Sequence, residues 1–222
     1  MKLKDYEYFR TDNGVLYCGD CLKIMPELEP VDLVLTDPPY GIKQDKGFGG
    51  FGGFGEPIAR KQYDDTWDSM RPTKIYFNEI IKLSKTALIF GGNYFADLLP
   101  ISTHWIVWDK LNTMPTFGDC ELIWTNIKRK SVKKYTCEYN GLLGKEGKRV
   151  HPTQKPVKLF IELLEIYSKT KDIICDCFHG SGTTAIACEK LNRRWIGIEK
   201  SEEYCKIAKQ RIINETRQLK LF

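Results

Sequence analysis

Seven short apolar runs rich in Val, Ile and Trp punctuate this 222-residue chain: 14–18 (GVLYC), 31–36 (VDLVLT), 86–91 (TALIFG), 104–109 (HWIVWD), 121–126 (ELIWTN), 172–177 (DIICDC) and 194–198 (RWIGI). Such runs lack a polar face, so each strand must be covered on both sides. Between several of them lie helix candidates at 74–84, 93–99, 155–168, 182–191 and 201–217. Strands and helices in alternation predict an α/β protein, a seven-stranded and mainly parallel sheet with helices on both faces. With 42% hydrophobic residues the chain can bury a core of its own, and residues 1–222 are expected to form a single domain.

Two stretches interrupt the pattern. Residues 41–57 place Phe48, Phe51 and Phe54 between glycine pairs, a composition that predicts a flexible Gly/Phe-rich loop directly after a strand end. Residues 128–150 hold Lys128, Arg129, Lys130, Lys133, Lys134, Lys145, Lys148 and Arg149 against Glu138 and Glu146, a local charge of about +6 in a chain of net +5. A basic segment on a near-neutral body suits a polyanion. No stretch approaches the roughly 18 consecutive apolar residues of a membrane span, and the polar MKLKDYEYFR start is no signal peptide. The expected location is cytoplasmic, where the eight cysteines stay reduced.

The sharpest chemical signal is Asp37-Pro38-Pro39-Tyr40, which follows the apolar strand VDLVLT. Two prolines cannot continue a β-ladder, so the chain leaves the sheet in a stiff turn, at the strand end where open α/β sheets bind ligands. A carboxylate, the Pro38 carbonyl and an aromatic ring then stand together. That trio can accept both N–H bonds of a planar amine and stack on its ring. The second signal is Asp176-Cys177-Phe178-His179-Gly180-Ser181-Gly182-Thr183-Thr184-Ala185, a glycine turn of the form G-x-G-x-x-A between a strand and a helix. Glu199 ends the next apolar run, 17 residues beyond Gly182, where a carboxylate can hold ribose hydroxyls. At a third strand end, Cys18-Gly19-Asp20-Cys21 has the C-x-x-C form, but no His falls at finger spacing, so no metal is expected and Asp20 is the residue of interest, able to accept from an adenine amine.

VLTDPPYG, then HPTQKP (151–156), then DCFHGSGTT resembles the S-adenosylmethionine-dependent amino-methyltransferases of DNA, over about residues 20–211. The order is similar to the beta group: catalytic motif, recognition segment, cofactor motif. The resemblance implies a Rossmann-like class I methyltransferase fold with circularly permuted motifs. It also implies S-adenosyl-L-methionine as cofactor, double-stranded DNA as partner, and a role in restriction-modification of bacteria or phage. It would put Asp37, Pro38, Pro39 and Tyr40 at the target amine. Asp20, Cys21, His151, Thr153, Lys155, Asp176, Phe178, Gly180, Ser181, Gly182, Thr183 and Glu199 would line the cofactor. Residues 128–150 would be a short basic target-recognition insert, with Lys128, Arg129, Lys130, Lys133, Lys134, Lys148 and Arg149 on DNA. Cys177 departs from the Pro usual in the family at that position.

The implied reaction is direct in-line methyl transfer to the exocyclic amine of a flipped base, which needs a stacking partner such as Tyr40. Ring-carbon methylation would need a nucleophilic Cys after Pro, and none of the eight cysteines follows one. In the family, Asp as first residue of the tetrad leans toward N6 of adenine and Ser toward N4 of cytosine, so adenine is expected and cytosine N4 is the alternative. A dinucleotide oxidoreductase also fits the glycine turn, but only 23 residues follow Glu199 and the tetrad would be left idle. RNA or protein-amide methylation is disfavoured by Asp37, since the protein amide enzymes carry Asn there. Finally, Gln218, Leu219, Leu221 and Phe222 are similar to the tail peptides that dock on bacterial sliding clamps. Packing of the last helix explains them equally well, and a homodimer stays open.

Overall fold

The computed structural model describes residues 2–42, 70–111, 118–138 and 155–219. One mixed sheet runs through them. Its strands in chain order are β1 (Glu7–Arg10), β2 (Gly14–Cys18), β3 (Val31–Thr36), β4 (Ser84–Phe90), β5 (Trp105–Asp109), β6 (Cys120–Thr125), β7 (Lys133–Thr136), β8 (Ile173–Asp176) and β9 (Arg194–Glu199). Their spatial order is β1-β2-β9-β8-β3-β4-β6-β5-β7. From β2 through β4 every neighbour is parallel, and β1, β6 and their partners add the antiparallel pairs.

The expected count of seven strands is corrected to nine. All seven expected strands are present, and the two additions, β1 (EYFR) and β7 (KKYT), are the edges of the sheet. An edge strand needs no second apolar face, and lysines there discourage pairing with other chains, so neither segment carries the apolar signature of a central strand. The basic segment is therefore partly a strand rather than an insert alone. The helix expected at 93–99 is a single 3-10 turn, Gly92–Phe95, followed by backbone bonds from Leu98 and Leu99 to the Phe95 carbonyl and then Pro100.

Apolar residues alternate between the two faces of each central strand. Leu33 and Leu35 of β3, with Leu88 and Phe90 of β4, join a core on one face. Val34, Ala87 and Ile89 join the core on the other. The first face is covered by α3 (Val157–Tyr167), α4 (Thr183–Lys190) and α5 (Glu202–Leu219), the second by α1 (Cys21–Ile24) and α2 (Lys74–Leu83). Small residues let α4 sit between α3, α5 and the sheet, buried from Thr183 to Cys188. No helix among the described residues is long and apolar enough to cross a membrane.

Between β8 and β3 the chain order reverses: β9 lies on one side of the pair and β4 on the other. This is the crevice where open α/β sheets bind ligands, outside the carboxyl ends of the strands. Because β6 runs antiparallel to β4, its first residues reach the same end of the sheet, and so do the last residues of β5.

Candidate active site

The tetrad Asp37–Tyr40 leaves β3 at that crevice. Thr36, the last residue of β3 and fully buried, donates from its hydroxyl to Asp176 Oδ1 at 2.7 Å and accepts from the Phe178 amide at 3.2 Å. Asp176 Oδ1 also accepts from the Phe178 amide at 3.2 Å, and Oδ2 accepts from the Thr184 hydroxyl. The tetrad and the glycine turn are therefore fastened together by one buried Thr-Asp pair. Asp176 is spent on the shape of the turn, which explains its 4% exposure.

Around Asp37 four charged groups meet. Lys155 Nζ lies 2.7 Å from Asp37 Oδ2 and 3.3 Å from Glu121 Oε2, while Lys110 Nζ holds Glu121 Oε1 at 2.7 Å. The Tyr40 hydroxyl donates to Asp37 Oδ1 at 2.6 Å. Two carboxylates and two ammoniums leave the cluster neutral, with the Lys155 side chain only 7% exposed. Burial pushes the Asp37 carboxyl up; the Lys155 ammonium opposes this and the Glu121 charge adds to it. Burial alone would lower Lys155, but Asp37 and Glu121 raise it above the usual lysine range, so it stays an ammonium. Glu121 is held below the usual range against its burial by Lys155 and Lys110.

Tyr40 is fixed by rings. It stacks on Tyr94 with centroids 4.7 Å apart and planes 17° apart, and meets Phe95 edge-on at 6.0 Å. Gly91, just past β4, permits this: a Cβ there would lie 2.3 Å from the Tyr40 ring, and its φ of +64° also favours glycine. Arg71 secures the turn that carries Tyr94, donating to the Tyr94 carbonyl at 2.8 Å and pairing with Asp97 at 2.6 Å.

On the other side of the crevice the glycine turn bends under Glu199. Glu199 Oε2 accepts from the Gly180 amide at 2.8 Å and Oε1 from the Ser201 amide at 2.7 Å. Burial raises its carboxyl, and the Ser201 and Gly180 amides pull the other way. Gly182 has φ +88° at the start of α4, a conformation closed to most side chains, and a Cβ there would press on Ala208. Ser181 is buried and held by Arg211, which donates to its carbonyl at 2.6 Å and its hydroxyl at 2.8 Å. Asp20 caps α1, accepting from the Leu22 amide at 3.0 Å, and Cys21 behind it is buried, its thiol pushed up to about 12 by burial and by Asp20. Phe178 is half-buried with its ring 5.9 Å from that of Tyr76. Two carboxylate acceptors, a half-buried ring and a tight glycine turn make a set that would fit a nucleoside, with a diol at Glu199, an amine at Asp20 and a base beside Phe178.

The expected residues thus fall into two groups at one crevice. Lys155 belongs to both: its carbonyl accepts from the Thr183 hydroxyl at 3.5 Å at the start of α4, while its ammonium reaches Asp37. His151, Thr153, Lys145, Lys148, Arg149, Leu221, Phe222 and residues 43–57 lie outside the described residues, and Gln218 and Leu219 end α5. Lys128, Arg129 and Lys130 are exposed beyond the far end of β6, at the sheet end opposite the tetrad. Lys133 and Lys134 are exposed on β7, with Lys134 pairing Asp109 at 3.1 Å. Glu121, Lys110, Thr36, Tyr94 and Gly91 were not foreseen. Only the register of β4, β5 and β6 brings the first two to Asp37, and no local motif announces them.

A doubly wound sheet with a nucleoside-fitting glycine turn on one side of its crevice and an amine-fitting tetrad on the other defines a nucleoside-dependent enzyme acting on amines. Comparison makes this particular. Residues 100–210, half of the chain, match the family model N6_N4_Mtase, "DNA methylase", and the chain belongs to that family of S-adenosylmethionine-dependent DNA amino-methyltransferases. It is 28% identical to the type II methyltransferase M2.LlaDCHI of Lactococcus lactis subsp. cremoris, and equally to M2.DpnII of Streptococcus pneumoniae, in each case over 92% of this chain and 91% of the relative. Among solved structures, the M1.HpyAVI–SAM complex is similar with a TM-score of 0.61 at 24% identity, covering 89% of this chain and 98% of that one. The cytosine-N4-specific PvuII DNA methyltransferase has a TM-score of 0.64 at 17% identity, covering 96% and 94%. These two likenesses establish the class I methyltransferase fold, with nine strands here.

Proposed function

We propose that this chain methylates the N6 amine of adenine in duplex DNA, with Asp37 and the Pro38 carbonyl accepting the amine's two N–H bonds. The observation that carries the reading is Asp37 itself: a part-buried carboxylate, fastened through Thr36 to the glycine turn and braced by the Tyr40 hydroxyl. Adenine is favoured over cytosine by Asp as first residue of the tetrad. S-adenosylmethionine, when bound, supplies the electrophilic methyl on its sulfonium. Glu199 and Asp20 would hold the ribose and adenine of that cofactor, and Phe178 would flank its base.

An exocyclic amine is a weak nucleophile because its lone pair is delocalised into the ring. Two acceptors on its hydrogens favour pyramidal nitrogen and free the lone pair, and the Asp37 charge stabilises the positive charge that builds on nitrogen. Tyr40, supported from behind by Tyr94, gives the flipped base a ring to stack on. Residues 1–222 act in this reading as one domain, with 128–150 as the basic target-recognition segment, where Lys133 and Lys134 contact phosphates. Asp37→Ala is expected to bind cofactor nearly as wild type and to lose methyl transfer to unmethylated genomic DNA. An active variant would sink the assignment, and digestion of the labelled product to nucleosides identifies the base.

A further inference from the structure

Both oxygens of Asp37 are already engaged. Oδ1 accepts from Tyr40 at 2.6 Å and Oδ2 from Lys155 at 2.7 Å. A target amine that docks on Asp37 must therefore displace or share a donor, and the ammonium is the stronger competitor. It also opposes the chemistry, because it stands beside the carboxylate that should stabilise a second positive charge. Lys155 cannot withdraw to water: it is 7% exposed and enclosed by the rings of Tyr40 at 5.4 Å and Phe90 at 5.5 Å. One other carboxylate lies within its reach among the described residues, Glu121 Oε2 at 3.3 Å.

We propose that Glu121 is a positioning residue that draws the Lys155 ammonium off Asp37 as the target amine docks. This rests on the reading of Asp37 as amine acceptor. Glu121 is suited to the task by its own anchoring: Lys110, from the end of β5, holds its Oε1 at 2.7 Å, which leaves Oε2 facing Lys155. Sliding from a contact of 2.7 Å on Asp37 to one of equal length on Glu121 is a displacement well under the length of a side-chain rotamer change. The ammonium keeps a carboxylate partner throughout, so the buried charge is never left unpaired, a state that would be strongly unfavourable. Thus Glu121 acts through Lys155 and does not touch the amine.

The test is single-turnover methylation of unmethylated genomic DNA at saturating S-adenosylmethionine, for wild type, Glu121→Gln, Lys155→Gln and the double variant, with cofactor Kd and Tm measured alongside. Glu121→Gln should slow transfer by about tenfold with little change in cofactor Kd. Lys155→Gln should retain measurable transfer, and adding Glu121→Gln to it should cost nothing further, since there is no ammonium left to relocate. Glu121→Asp, which keeps a carboxylate one methylene shorter, should recover part of the rate. The proposal is overturned by a wild-type rate in Glu121→Gln, by an equal loss in both backgrounds, by Lys155→Gln devoid of transfer, or by Glu121→Asp no faster than Glu121→Gln. An Asp37→Asn arm separates the two ideas: if that variant still methylates, the reading of Asp37 fails, whereas its inactivity beside any of those four results fails Glu121 alone.

Discussion

Asp37 and Glu199 are both carboxylates at strand ends of one crevice, yet they are held in opposite ways. Glu199 is held by two backbone amides, from Gly180 and Ser201. Asp37 is held by two side chains, Lys155 and Tyr40. Backbone amides in a glycine turn are fixed by the fold, so the Glu199 corner is preformed and needs no rearrangement to receive a ligand. Side-chain donors can move by rotation, so in the proposed reaction the Asp37 corner holds partners that a substrate would replace. Under the proposed function one corner would serve standing recognition and the other a reaction in which charge moves.

That contrast is easiest to break at Glu199. Glu199→Gln offers one acceptor oxygen to two part-buried amides and turns an NH2 toward the other, so the glycine turn loses its shape. Hydrogen bonds to a charged group contribute about 1.5–3 kcal/mol each, and cofactor affinity is expected to fall by roughly tenfold to a hundredfold. Isothermal titration of each variant with S-adenosylmethionine checks this, with Asp37→Asn staying close to wild type. If Asp37→Asn weakens cofactor binding as much as Glu199→Gln does, the two corners are not separate.

The two corners also differ in how far the sequence displays them. The Glu199 corner is local: Gly180, Gly182 and Glu199 lie in one strand-turn-helix-strand unit, and their contacts follow from neighbouring positions. The tetrad is equally visible as a string, but its surroundings are not. Glu121 sits 84 positions from Asp37 and Lys155 another 34 beyond, and only the antiparallel placement of β6 beside β4 brings Glu121 to the carboxyl end of β3. A lone Glu at the start of an apolar strand looks like a solvated strand end. Likewise β7 is invisible as a strand because KKYT needs no second apolar face at an edge, whereas the central strands declare themselves by having two. What the sequence displays is what neighbouring residues decide among themselves. What it withholds is what the sheet register decides.

Thr36 joins the corners, and its loss should touch both. Thr36→Val keeps the volume within β3 but removes the donor to Asp176 and the second acceptor of the Phe178 amide. An expected loss of about 1–2 kcal/mol of stability follows mainly from the buried Thr36–Asp176 contact, since the Phe178 amide keeps Asp176 as acceptor, and is read as a lower Tm or denaturation midpoint. More informative is the pairing of effects: cofactor Kd and transfer rate should worsen together by a few fold, because the turn and the tetrad are displaced as a unit. A Thr36→Val enzyme in which only one of the two changes would show that the corners are positioned independently.

The smallest effect concerns what neither corner supplies. The Asp37 cluster is neutral as a whole, with Lys110 and Lys155 matched by Asp37 and Glu121, and Glu199 and Asp20 add negative charge beside it. In the proposed reaction attraction of duplex DNA would come from outside the crevice, and on the edge strand β7 Lys134 reaches Asp109 at the end of β5, while Lys133 opens β7 toward the other end of the sheet. Neutralising Lys133 and Lys134 together should flatten the dependence of log K on log salt by about one for each phosphate that these two ammoniums neutralise. Lys128, Arg129 and Lys130, which precede β7 at the sheet end opposite the tetrad and lie farther from Asp109 than Lys134 does, should change that slope less. Equilibrium binding of a duplex across a salt series reads the slope directly, and Asp37→Asn serves as control, since a part-buried acceptor that meets only the base should leave it where it is. Equal flattening from both groups of basic residues would mean that the duplex follows the β7 edge down to the sheet end opposite the tetrad.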